Sequence, residues 1–260
     1  MSDAVNKGSQ RLMGQVVLVT GAGSGIGAAA ALGFAREGAS VVLAGRRKAE
    51  LTAVALEIER AHGVAAVVPT DVADAVAVQA LVERALDRFG RLDAAFNNAG
   101  TTAYAPIEET SAEEFDRVMA TNVRGVWLLM KHEIAAMRAQ GSGGAIVNTS
   151  SIAATGGMAG LSVYAASKGA LDTMIRSAAL DVGGVGIRIN NVSPGVIKTQ
   201  LTAGIPPEAM GHMAAHAALK RVGEPEDVSR VAVWLCTDEA RFITGQSILV
   251  DGGFNIAGWR

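Results

Sequence analysis

A tyrosine and a lysine stand four residues apart in the sequence Y-A-A-S-K, at Tyr164 and Lys168. Residues at this spacing share one face of a helix, and that face continues through the apolar Leu171 and Ile175. A lysine within an apolar stripe breaks the rule that cations face water, and such breaks are typical of functional sites. The structural alternative is a lysine at a helix end that extends along apolar surface to reach solvent.

A phenol beside an ammonium group suits proton transfer to and from a substrate oxygen. The phenol has a pKa of about 10 and is a poor proton shuttle near neutral pH unless a nearby cation favours the phenolate. Lys168 can supply that charge, and a helix that starts near Ser162 adds the positive end of its dipole. We therefore expect Tyr164 to have a lowered pKa and to act as general acid and base.

Ser151 and Asn122 are further candidates for this chemistry. The run A-I-V-N-T, typical of a strand, leads into Ser151, whose hydroxyl can hold a substrate carbonyl against Tyr164. Asn122 lies on the apolar face of a helix that opens with the capping box S-A-E-E at 111–114. It can hold a water that relays protons to Lys168, or it is a core asparagine with internal partners. The predicted buried stripe of that helix is Phe115, Val118, Asn122, Val126 and Leu129.

Four glycines fall within seven residues after the run V-V-L-V-T, in the sequence G-A-G-S-G-I-G. A strand, a glycine turn and a helix in that order let the backbone approach a pyrophosphate, which the helix N-terminus attracts. Several dinucleotide templates fit, including G-x-G-x-x-A, and the end of the strand favours the register that begins at Gly21. A purely structural turn is the alternative. The cofactor residues expected here are Gly21, Ser24, Gly25, Ile26 and Gly27.

The next strand, V-V-L-A-G, ends at Gly45, where an NAD-selective site places an acidic residue for the ribose hydroxyls. Arg46, Arg47 and Lys48 follow instead. An arginine can pair with a 2′-phosphate and stack on adenine, so these residues favour NADP, with NAD as the alternative. A solvated helix start is the structural alternative, although cations are unfavourable at a helix N-terminus.

Two later strand ends extend the same crevice. Asp71 and Val72 follow a strand and can bracket an adenine ring by a hydrogen bond and an apolar contact. The N-N-A-G sequence after the following strand provides Asn98, Ala99 and Gly100, small enough for a ligand to lie close to the backbone. Either feature alone is an ordinary turn, but the carboxyl ends of successive parallel strands line the crevice where such sheets bind ligands.

The elements that must position these residues alternate between short β-branched runs and longer stretches with helical periodicity. This order predicts an α/β fold: a single-domain, doubly wound parallel sheet (a Rossmann fold) of about seven strands with helices on both faces. We expect a flexible leader at 1–13, one domain at 14–260, and a functional or mobile substrate segment at about 198–224. The predicted strands are 16–19, 40–44, 64–69, 92–97, 145–149, 187–192 and 247–250.

The composition disfavours several classes of function. A net charge of −2 provides no basic excess for a nucleic acid or a membrane surface, so neither partner is expected. The single cysteine, Cys236, lies in an apolar run, which predicts a buried thiol, a reducing compartment and a cytoplasmic location. His212 and His216 have helical spacing, but no glutamate follows His212, so no metal site is expected.

Taken together, these residues resemble the short-chain dehydrogenase/reductase family, in the form of its 3-oxoacyl-acyl-carrier-protein reductases, from residue 14 to 254. A set of this size in this order is highly specific, although any one motif alone is weak. The matching motifs are T-G-A-G-S-G-I-G at 20–27, D-V at 71, N-N-A-G at 97, T-N-V-R-G around Asn122, N-T-S-S ending at Ser151, Y-A-A-S-K at 164, S-P-G-V-I-K-T at 193–199, R-V-G-E-P-E-D-V at 221 and F-I-T-G-Q-S-I-L-V-D-G-G-F at 242.

The resemblance implies a role for each catalytic candidate. Tyr164 is implied as general acid and base, Lys168 as the group that lowers its pKa and binds the nicotinamide ribose, Ser151 as the substrate-orienting hydroxyl, and Asn122 as the holder of the relay water. It also implies that segment 198–224 closes over the substrate and that the protein is a homotetramer. Ser24 departs from many NADP-binding relatives, which carry an additional basic residue there. Further cofactor contacts are implied at Pro194, Gly195, Ile197 and Thr199.

We therefore expect an NAD(P)-dependent oxidoreductase that transfers a hydride between a nicotinamide cofactor and the carbonyl or secondary alcohol of a small, largely apolar substrate. The alternatives are an NAD-dependent alcohol dehydrogenase of the same family and a non-catalytic nucleotide-binding protein on the same fold. A serine hydrolase using Ser151 is disfavoured because no G-x-S-x-G elbow is present. The apolar residues expected around the substrate are Met158, Leu161, Leu201, Ile205, Met210 and Met213.

Overall fold

A computed structural model describes residues 10–257. Its seven strands form one parallel sheet in the order β3-β2-β1-β4-β5-β6-β7. The predicted fold class and all seven predicted strands are confirmed, with strand ends that differ by at most two residues. The strands are β1 (Val16–Thr20), β2 (Ser40–Gly45), β3 (Val64–Pro69), β4 (Ala94–Asn97), β5 (Gly144–Thr149), β6 (Ile187–Pro194) and β7 (Ser247–Val250).

Helices cover both faces of the sheet, so strand residues are buried on both sides. Val17 and Val19 point into a core formed with α1, α2 and α8, whereas Val16 and Leu18 point into a core formed with α3, α5 and α6. This alternation explains why every residue of β1 is buried and why all but Thr20 are apolar. The helices are α1 (Gly25–Arg36), α2 (Lys48–Arg60), α3 (Ala75–Phe89), α4 (Ala112–Met119), α5 (Val126–Gln140), α6 (Ser162–Val182), α7 (Pro207–His216) and α8 (Pro225–Cys236).

The strand order reverses beside β1. The chain builds outward from β1 to β3, then returns to place β4 on the other side of β1 and continues to β7. In sheets of this kind, the crevice outside the carboxyl ends of the two strands at the reversal is where ligands bind. The glycine turn after β1 and the N-N-A-G sequence after β4 both lie at this point.

The helix predicted to begin at the 111–114 capping box has two unexpected features. Ser111 Oγ accepts a 3.2 Å hydrogen bond from the backbone N–H of Glu114, as expected for an N-cap. A π-helical turn (Ala120–Gly125) then separates α4 from α5. The prediction that Phe115 is buried is wrong, because α4 buries only Val118 and leaves the Phe115 side chain 45% exposed.

The N-terminal residues and the segment after β6 both differ in detail from expectation. Most of the expected leader lies outside the described residues, but Arg11 is ion-paired with Glu37 at 2.7 Å and Leu12 is fully buried. Among the described residues, packing therefore extends to Arg11, before the predicted start of the domain at residue 14. Segment 198–224 contains a short 3₁₀ turn (Gln200–Thr202) and α7, so it is more regular than expected. Across residues 10–257, every helix is too short or too polar to span a bilayer.

Candidate active site

A cleft of about 520 Å³ runs along the carboxyl ends of the strands. Gly27 and Asn122 are the two predicted site residues that do not line it. The structure therefore brings together residues that are far apart in the sequence but that follow successive strands. The predicted residues that line it are Gly21, Ser24, Gly25, Ile26, Arg46, Arg47, Asp71, Val72, Asn98, Ala99, Gly100, Ser151, Tyr164, Lys168, Pro194, Gly195, Ile197 and Thr199.

The glycine turn requires glycine at two of its positions for different reasons. Gly21 has φ of +65°, a left-handed conformation that side chains disfavour. A Cβ on Gly27 would overlap the carbonyl oxygen of Gly21 and lie 2.7 Å from Nδ2 of Asn98. Gly27 is thus a packing residue inside the turn, whereas Ser24, Gly25 and neighbouring Ile26 face the cleft at the start of α1.

The N-terminus of α1 opens into the cleft and fits an anionic group. The first backbone N–H groups of a helix lack intrahelical acceptors and carry a partial positive charge. The side chain of Ser24, at the N-cap position, makes no capping hydrogen bond. The turn therefore offers backbone donors and small residues to a phosphate, which is what the pyrophosphate of a dinucleotide requires.

Two arginines stand at the β2 end of the cleft. Arg47 donates hydrogen bonds to Gln200 Oε1 at 2.8 Å and to Ser24 Oγ at 3.1 Å, and its Nε lies 3.4 Å from Glu50. Arg46 and Gly45 line the same wall. This end of the cleft thus has two guanidinium groups. Gly45 occupies the position where an NAD-selective site has an acidic residue that binds the ribose hydroxyls.

The β3 and β4 ends complete this side of the cleft. The Val72 side chain is buried, while Asp71 is exposed and accepts a 3.0 Å hydrogen bond from the backbone N–H of Ala73. Thr20 Oγ1 accepts hydrogen bonds from the backbone N–H groups of Asn98 and Ala99, at 3.0 and 3.1 Å. These bonds fix the loop after β4 against the end of β1, which keeps its backbone along the cleft.

Tyr164 faces the cleft from the first turn of α6. Although the side chain is partly exposed, burial raises its pKa above the ordinary value, and a hydrogen bond with the Ser151 side chain opposes that rise. The expectation of a net lowered pKa is wrong for this chain because desolvation disfavours the phenolate more than its neighbours stabilise it. The phenol therefore carries its proton at neutral pH and contacts the serine predicted to hold the substrate.

Lys168 is buried rather than extended towards solvent, which removes the structural alternative. Its Nζ donates a 2.6 Å hydrogen bond to the carbonyl oxygen of Thr149 and lies 5.6 Å from the centre of the Tyr164 ring. Burial lowers the pKa of Lys168 to about 8, and attraction to Asp172 opposes that shift. The ammonium group is thus fixed at the end of β5, beside the tyrosine and in the cleft.

Asn122 lies behind the cleft wall, within the π-helical turn. Its Oδ1 accepts from the backbone N–H of Thr101 at 2.9 Å, and its Nδ2 donates to the carbonyl oxygen of Thr101 at 2.8 Å and to Ser167 Oγ at 3.0 Å. The side chain is therefore a satisfied core group that ties the loop after β4 to α6. A Cβ on Gly100 would lie 3.4 Å from Asn122 Oδ1 and 3.6 Å from Lys168 Nζ, so both polar groups meet at that glycine.

The segment after β6 closes the cleft on its remaining side. Thr199 packs on the glycine turn, since a Cβ on Gly25 would lie 3.1 Å from Thr199 Cγ2. Of the apolar residues expected around the substrate, only Leu201 lines the cleft. Met210 and Met213 lie on α7, which buries none of its residues.

Gln200 and Arg117 are two of the polar residues of the cleft that the sequence did not predict. Gln200 lines it and bonds to Arg47 across 153 positions of sequence. Arg117 lines it and donates to Thr101 Oγ1 at 2.6 Å and to the carbonyl oxygen of Thr102 at 3.0 Å. No sequence pattern marks either residue, because a glutamine in a loop and an arginine on a surface helix are common in any protein.

Cys236 and His216 lie outside the cleft. Cys236 is buried, as predicted, and burial raises the pKa of its thiol to about 12. His216 Nε2 lies 3.1 Å from the carbonyl oxygen of Phe254, and its ring packs on that phenylalanine. Within the part of the chain that the structure describes, no group of three or more potential metal ligands comes together.

Several known proteins are similar to this chain in sequence. A family model described as enoyl-(acyl carrier protein) reductase matches residues 21–255. The meso-2,3-butanediol dehydrogenase of Serratia marcescens is 40% identical over 243 residues, covering 94% of this chain and 95% of that protein. The A-factor type gamma-butyrolactone 1′-reductase of Streptomyces virginiae is 40% identical over 255 residues, covering 94% and 97%.

A solved structure supports the same assignment. The crystal structure of a short-chain type dehydrogenase/reductase from Mycobacterium marinum superposes with a TM-score of 0.91 at 32% identity, covering 95% of this chain and 97% of that one. This protein is therefore an oxidoreductase of alcohols and carbonyls that uses a nicotinamide cofactor, NAD or NADP, and it belongs to the short-chain dehydrogenase/reductase family.

Proposed function

We propose that this protein reduces the ketone of a small, largely apolar molecule to a secondary alcohol, with NADPH as the hydride donor. One observation carries the proposal: a single cleft has two arginines after β2 and the Tyr164, Lys168 and Ser151 group beyond β5. Three strand spacings separate β2 from β5, roughly 14 Å, which suits a ligand that lies extended across the strand ends.

The residues present fit a dinucleotide along this cleft. The start of α1 supplies backbone donors for the pyrophosphate, and the small Asn98, Ala99 and Gly100 leave room beside it. Asp71 and Val72 suit the adenine ring, by a hydrogen bond and an apolar contact. When bound, the nicotinamide supplies the hydride that adds to the carbonyl carbon.

Tyr164 supplies the proton in this reduction. Its phenol is protonated at neutral pH because burial raises its pKa. As the carbonyl carbon gains the hydride, the phenol donates its proton to the carbonyl oxygen, and the product is the neutral alcohol. In the opposite direction the phenolate takes the alcohol proton back.

Ser151 and Lys168 make this proton transfer possible. The Ser151 hydroxyl contacts the Tyr164 side chain, so one carbonyl oxygen can accept from both. Lys168, held by the carbonyl of Thr149, places a positive charge beside the phenolate that remains after transfer. Asn122 holds the loop and helix that carry these groups, and we propose that the π-helical turn around it binds the relay water.

NADPH is proposed over NADH because of the charges after β2. Arg46 and Arg47 line the cleft where the adenosine ribose is expected, and an arginine can make charge-assisted hydrogen bonds to a 2′-phosphate. Gly45 offers no carboxylate to a free 2′-hydroxyl. Ser24 stands where many NADP-binding relatives carry an additional basic residue. Its Oγ accepts a hydrogen bond from Arg47, so the serine helps to position that guanidinium group.

The protein is proposed to act as a homotetramer in the cytoplasm. Large apolar side chains that are exposed on the single chain support association of copies, and the family resemblance implies four of them. They include Phe115, Trp127, Phe242 and Leu249. The single buried cysteine fits a reducing compartment. Light scattering of the purified protein gives the number of copies directly.

The function is tested by following nicotinamide absorbance with a panel of ketones, diketones and acyl thioesters, with both cofactors. We expect NADPH-dependent reduction of at least one apolar ketone and loss of about 10² to 10⁴ in kcat in Tyr164→Phe. The matched control is Tyr104→Phe, which changes the other tyrosine, an exposed one, and is expected to keep full activity.

Cofactor binding separates this function from its rivals. Fluorescence titration of Tyr164→Phe with NADPH is expected to give a Kd close to that of the unchanged protein. Tight NADPH binding without turnover in either direction would instead indicate a nucleotide-binding protein without catalysis. A clear preference for NADH with secondary alcohols would favour an NAD-dependent alcohol dehydrogenase.

A further inference from the structure

A row of three asparagines crosses the sheet beneath α5 and α6. Asn97 on β4, Asn148 on β5 and Asn191 on β6 are register partners on neighbouring strands, so their side chains share one face. Asn97 Nδ2 donates to Asn148 Oδ1 at 3.0 Å, and Asn148 Nδ2 donates to Asn191 Oδ1 at 3.1 Å. All three are buried. We refer to Asn97, Asn148 and Asn191 as the amide ladder.

The amide ladder has a direction, and Asp172 stands at its accepting end. Asn191 Nδ2 donates to Asp172 Oδ1 at 2.9 Å, and Ser247 Oγ on β7 donates to the same oxygen at 2.8 Å. Each amide in the row therefore points one N–H group towards this carboxylate, while Asn97 Nδ2 also donates to Glu133 at the other end of the row. Aligned hydrogen bonds in a buried row polarise one another, which favours a negative charge where they end.

Asp172 lies on α6 one turn beyond Lys168, so the two side chains project from the same face of the helix. The opposite charges attract each other, and this attraction partly offsets the cost of burying the Lys168 ammonium. Two anchors on β6 and β7 prevent the carboxylate from turning away to solvent. Its negative charge is thus fixed relative to the active-site lysine.

None of the other groups named below places a negative charge beside Lys168 as Asp172 does. On α6 itself, Tyr164 lies one turn before Lys168 and Arg176 one turn after Asp172. The strands β6 and β7 contribute the neutral Asn191 and Ser247. The π-helical turn contributes the neutral Asn122, and the guanidinium groups of Arg117, Arg46 and Arg47 share the cleft with Lys168. Those cations disfavour the protonated form of Lys168, whereas the carboxylate of Asp172 favours it.

We propose that Asp172, held by the amide ladder and Ser247, is a positioning residue for the reaction that keeps Lys168 charged at neutral pH. The proposal rests on the proposed function, in which the Lys168 charge stabilises the phenolate of Tyr164. Asp172 itself touches neither substrate nor cofactor in this arrangement. It acts only through Lys168.

Asp172→Asn is the informative variant because it removes the charge and keeps the shape. Its amide oxygen can still accept from Asn191 and Ser247, so the anchors are retained. Asp172→Glu keeps the charge as the conservative variant. Asp181→Asn, exposed on the same helix about 20 Å from Lys168, is the matched control for loss of one negative charge.

The first measurement is made on the protein without substrate or cofactor. Brief acetylation with acetic anhydride at a series of pH values, followed by mass spectrometry of the Lys168 peptide, reports the neutral fraction of this amine. In Asp172→Asn the midpoint is expected to fall by about half a pH unit or more, with no shift in Asp181→Asn. An unchanged midpoint in Asp172→Asn overturns the proposal and leaves the proposed function untouched.

The second measurement is the pH profile of kcat/KM for ketone reduction. The basic limb is expected to move to lower pH in Asp172→Asn and to return towards its original position in Asp172→Glu. A general loss of stability lowers activity at every pH without moving this limb. A uniform loss in Asp172→Asn, with an unmoved limb, therefore contradicts the proposal.

Discussion

Asn97 Nδ2 donates a 3.0 Å hydrogen bond to Oε2 of Glu133, while Asn97 Oδ1 and Glu133 Oε1 are both buried without a partner among the described residues. An acid and an amide in this arrangement can form two parallel hydrogen bonds if the acid is protonated. Burial raises the pKa of Glu133 to about 8, and the bond from Asn97 opposes that rise. One proton on Glu133 Oε1 would supply the donor that Asn97 Oδ1 lacks.

The protonated Glu133 makes the stability of the fold depend on pH. The pKa of this carboxyl is 4.5 in an unfolded chain and about 8 in the folded one, so the folded state alone holds the proton between these values. The contribution of Glu133 is fully present below pH 4.5 and is lost as pH rises towards about 8. We expect the free energy of unfolding from this group to fall by at most about 1.4 kcal/mol per pH unit in that window.

Glu133→Gln is expected to remove this dependence. The glutamine amide can accept from Asn97 Nδ2 and donate to Asn97 Oδ1 at any pH, as the protonated acid does at low pH. Urea unfolding is measured from pH 5 to pH 9. As the pH rises, the free energy of unfolding of the variant is expected to increase relative to that of the unchanged protein. The control is Glu57→Gln at an exposed position of α2. Parallel curves for Glu133→Gln and the unchanged protein would show that Glu133 is ionised in the folded state.

A methyl group at Gly27 is expected to disrupt the glycine turn. The added Cβ overlaps the carbonyl oxygen of Gly21 and lies 2.7 Å from Nδ2 of Asn98, so backbone must move. Gly27→Ala is expected to cost about 1–3 kcal/mol of unfolding free energy and to weaken NADPH binding. Gly211→Ala, with no atom within 4 Å of the new Cβ, is the control and is expected to be neutral or mildly stabilising. Equal stability of the two variants would mean that the turn is looser than described.

The sequence predicted the fold and most of the cleft for a simple physical reason. In a parallel sheet, strand ends are marked by where apolar runs stop, and those ends meet at one edge. Gly21, Asp71, Asn98 and Ser151 were therefore found from their positions after strands, without any knowledge of contacts. The family resemblance supplied the residues after β6, which no local pattern marked.

Features that depend on register or burial could not be found in this way. Asn97, Asn148 and Asn191 are ordinary strand residues until β4, β5 and β6 are aligned. The exposure of Phe115 depends on how little of α4 packs against the domain. The raised pKa of Tyr164 depends on desolvation, which no spacing reveals, although the spacing did identify the residue.

A carboxylate at position 45 is expected to change the cofactor preference. A Cβ on Gly45 meets nothing closer than Leu51 Cδ2 at 3.6 Å, so a side chain fits without rearrangement. Gly45→Asp is expected to accept hydrogen bonds from a ribose diol and to repel a 2′-phosphate. The ratio of kcat/KM for NADH to that for NADPH is expected to rise about 10- to 100-fold. Gly45→Asn, of equal size and no charge, is expected to change the ratio much less, and equal shifts in both variants would rule out a charge effect.

Arg188 is expected to stabilise the fold by capping α8. Its guanidinium donates to the carbonyl oxygens of Leu235 at 2.8 Å and Thr237 at 3.2 Å, at the end of that helix. Burial lowers the pKa of Arg188, and the nearby Cys236 and Asp238 oppose that shift. Because Arg188→Met leaves both carbonyls without a charged donor, we expect a loss of about 1–3 kcal/mol of unfolding free energy.

The comparison for Arg188→Met is Arg84→Met, at an exposed position of α3. That substitution is expected to leave stability within about 0.5 kcal/mol of the unchanged protein. Hydrogen exchange then separates a local from a general effect, since a lost cap speeds exchange first in the last turn of α8. Equal stability of the two variants, with unchanged exchange in α8, would mean that the carbonyls of Leu235 and Thr237 find other donors when Arg188 is removed.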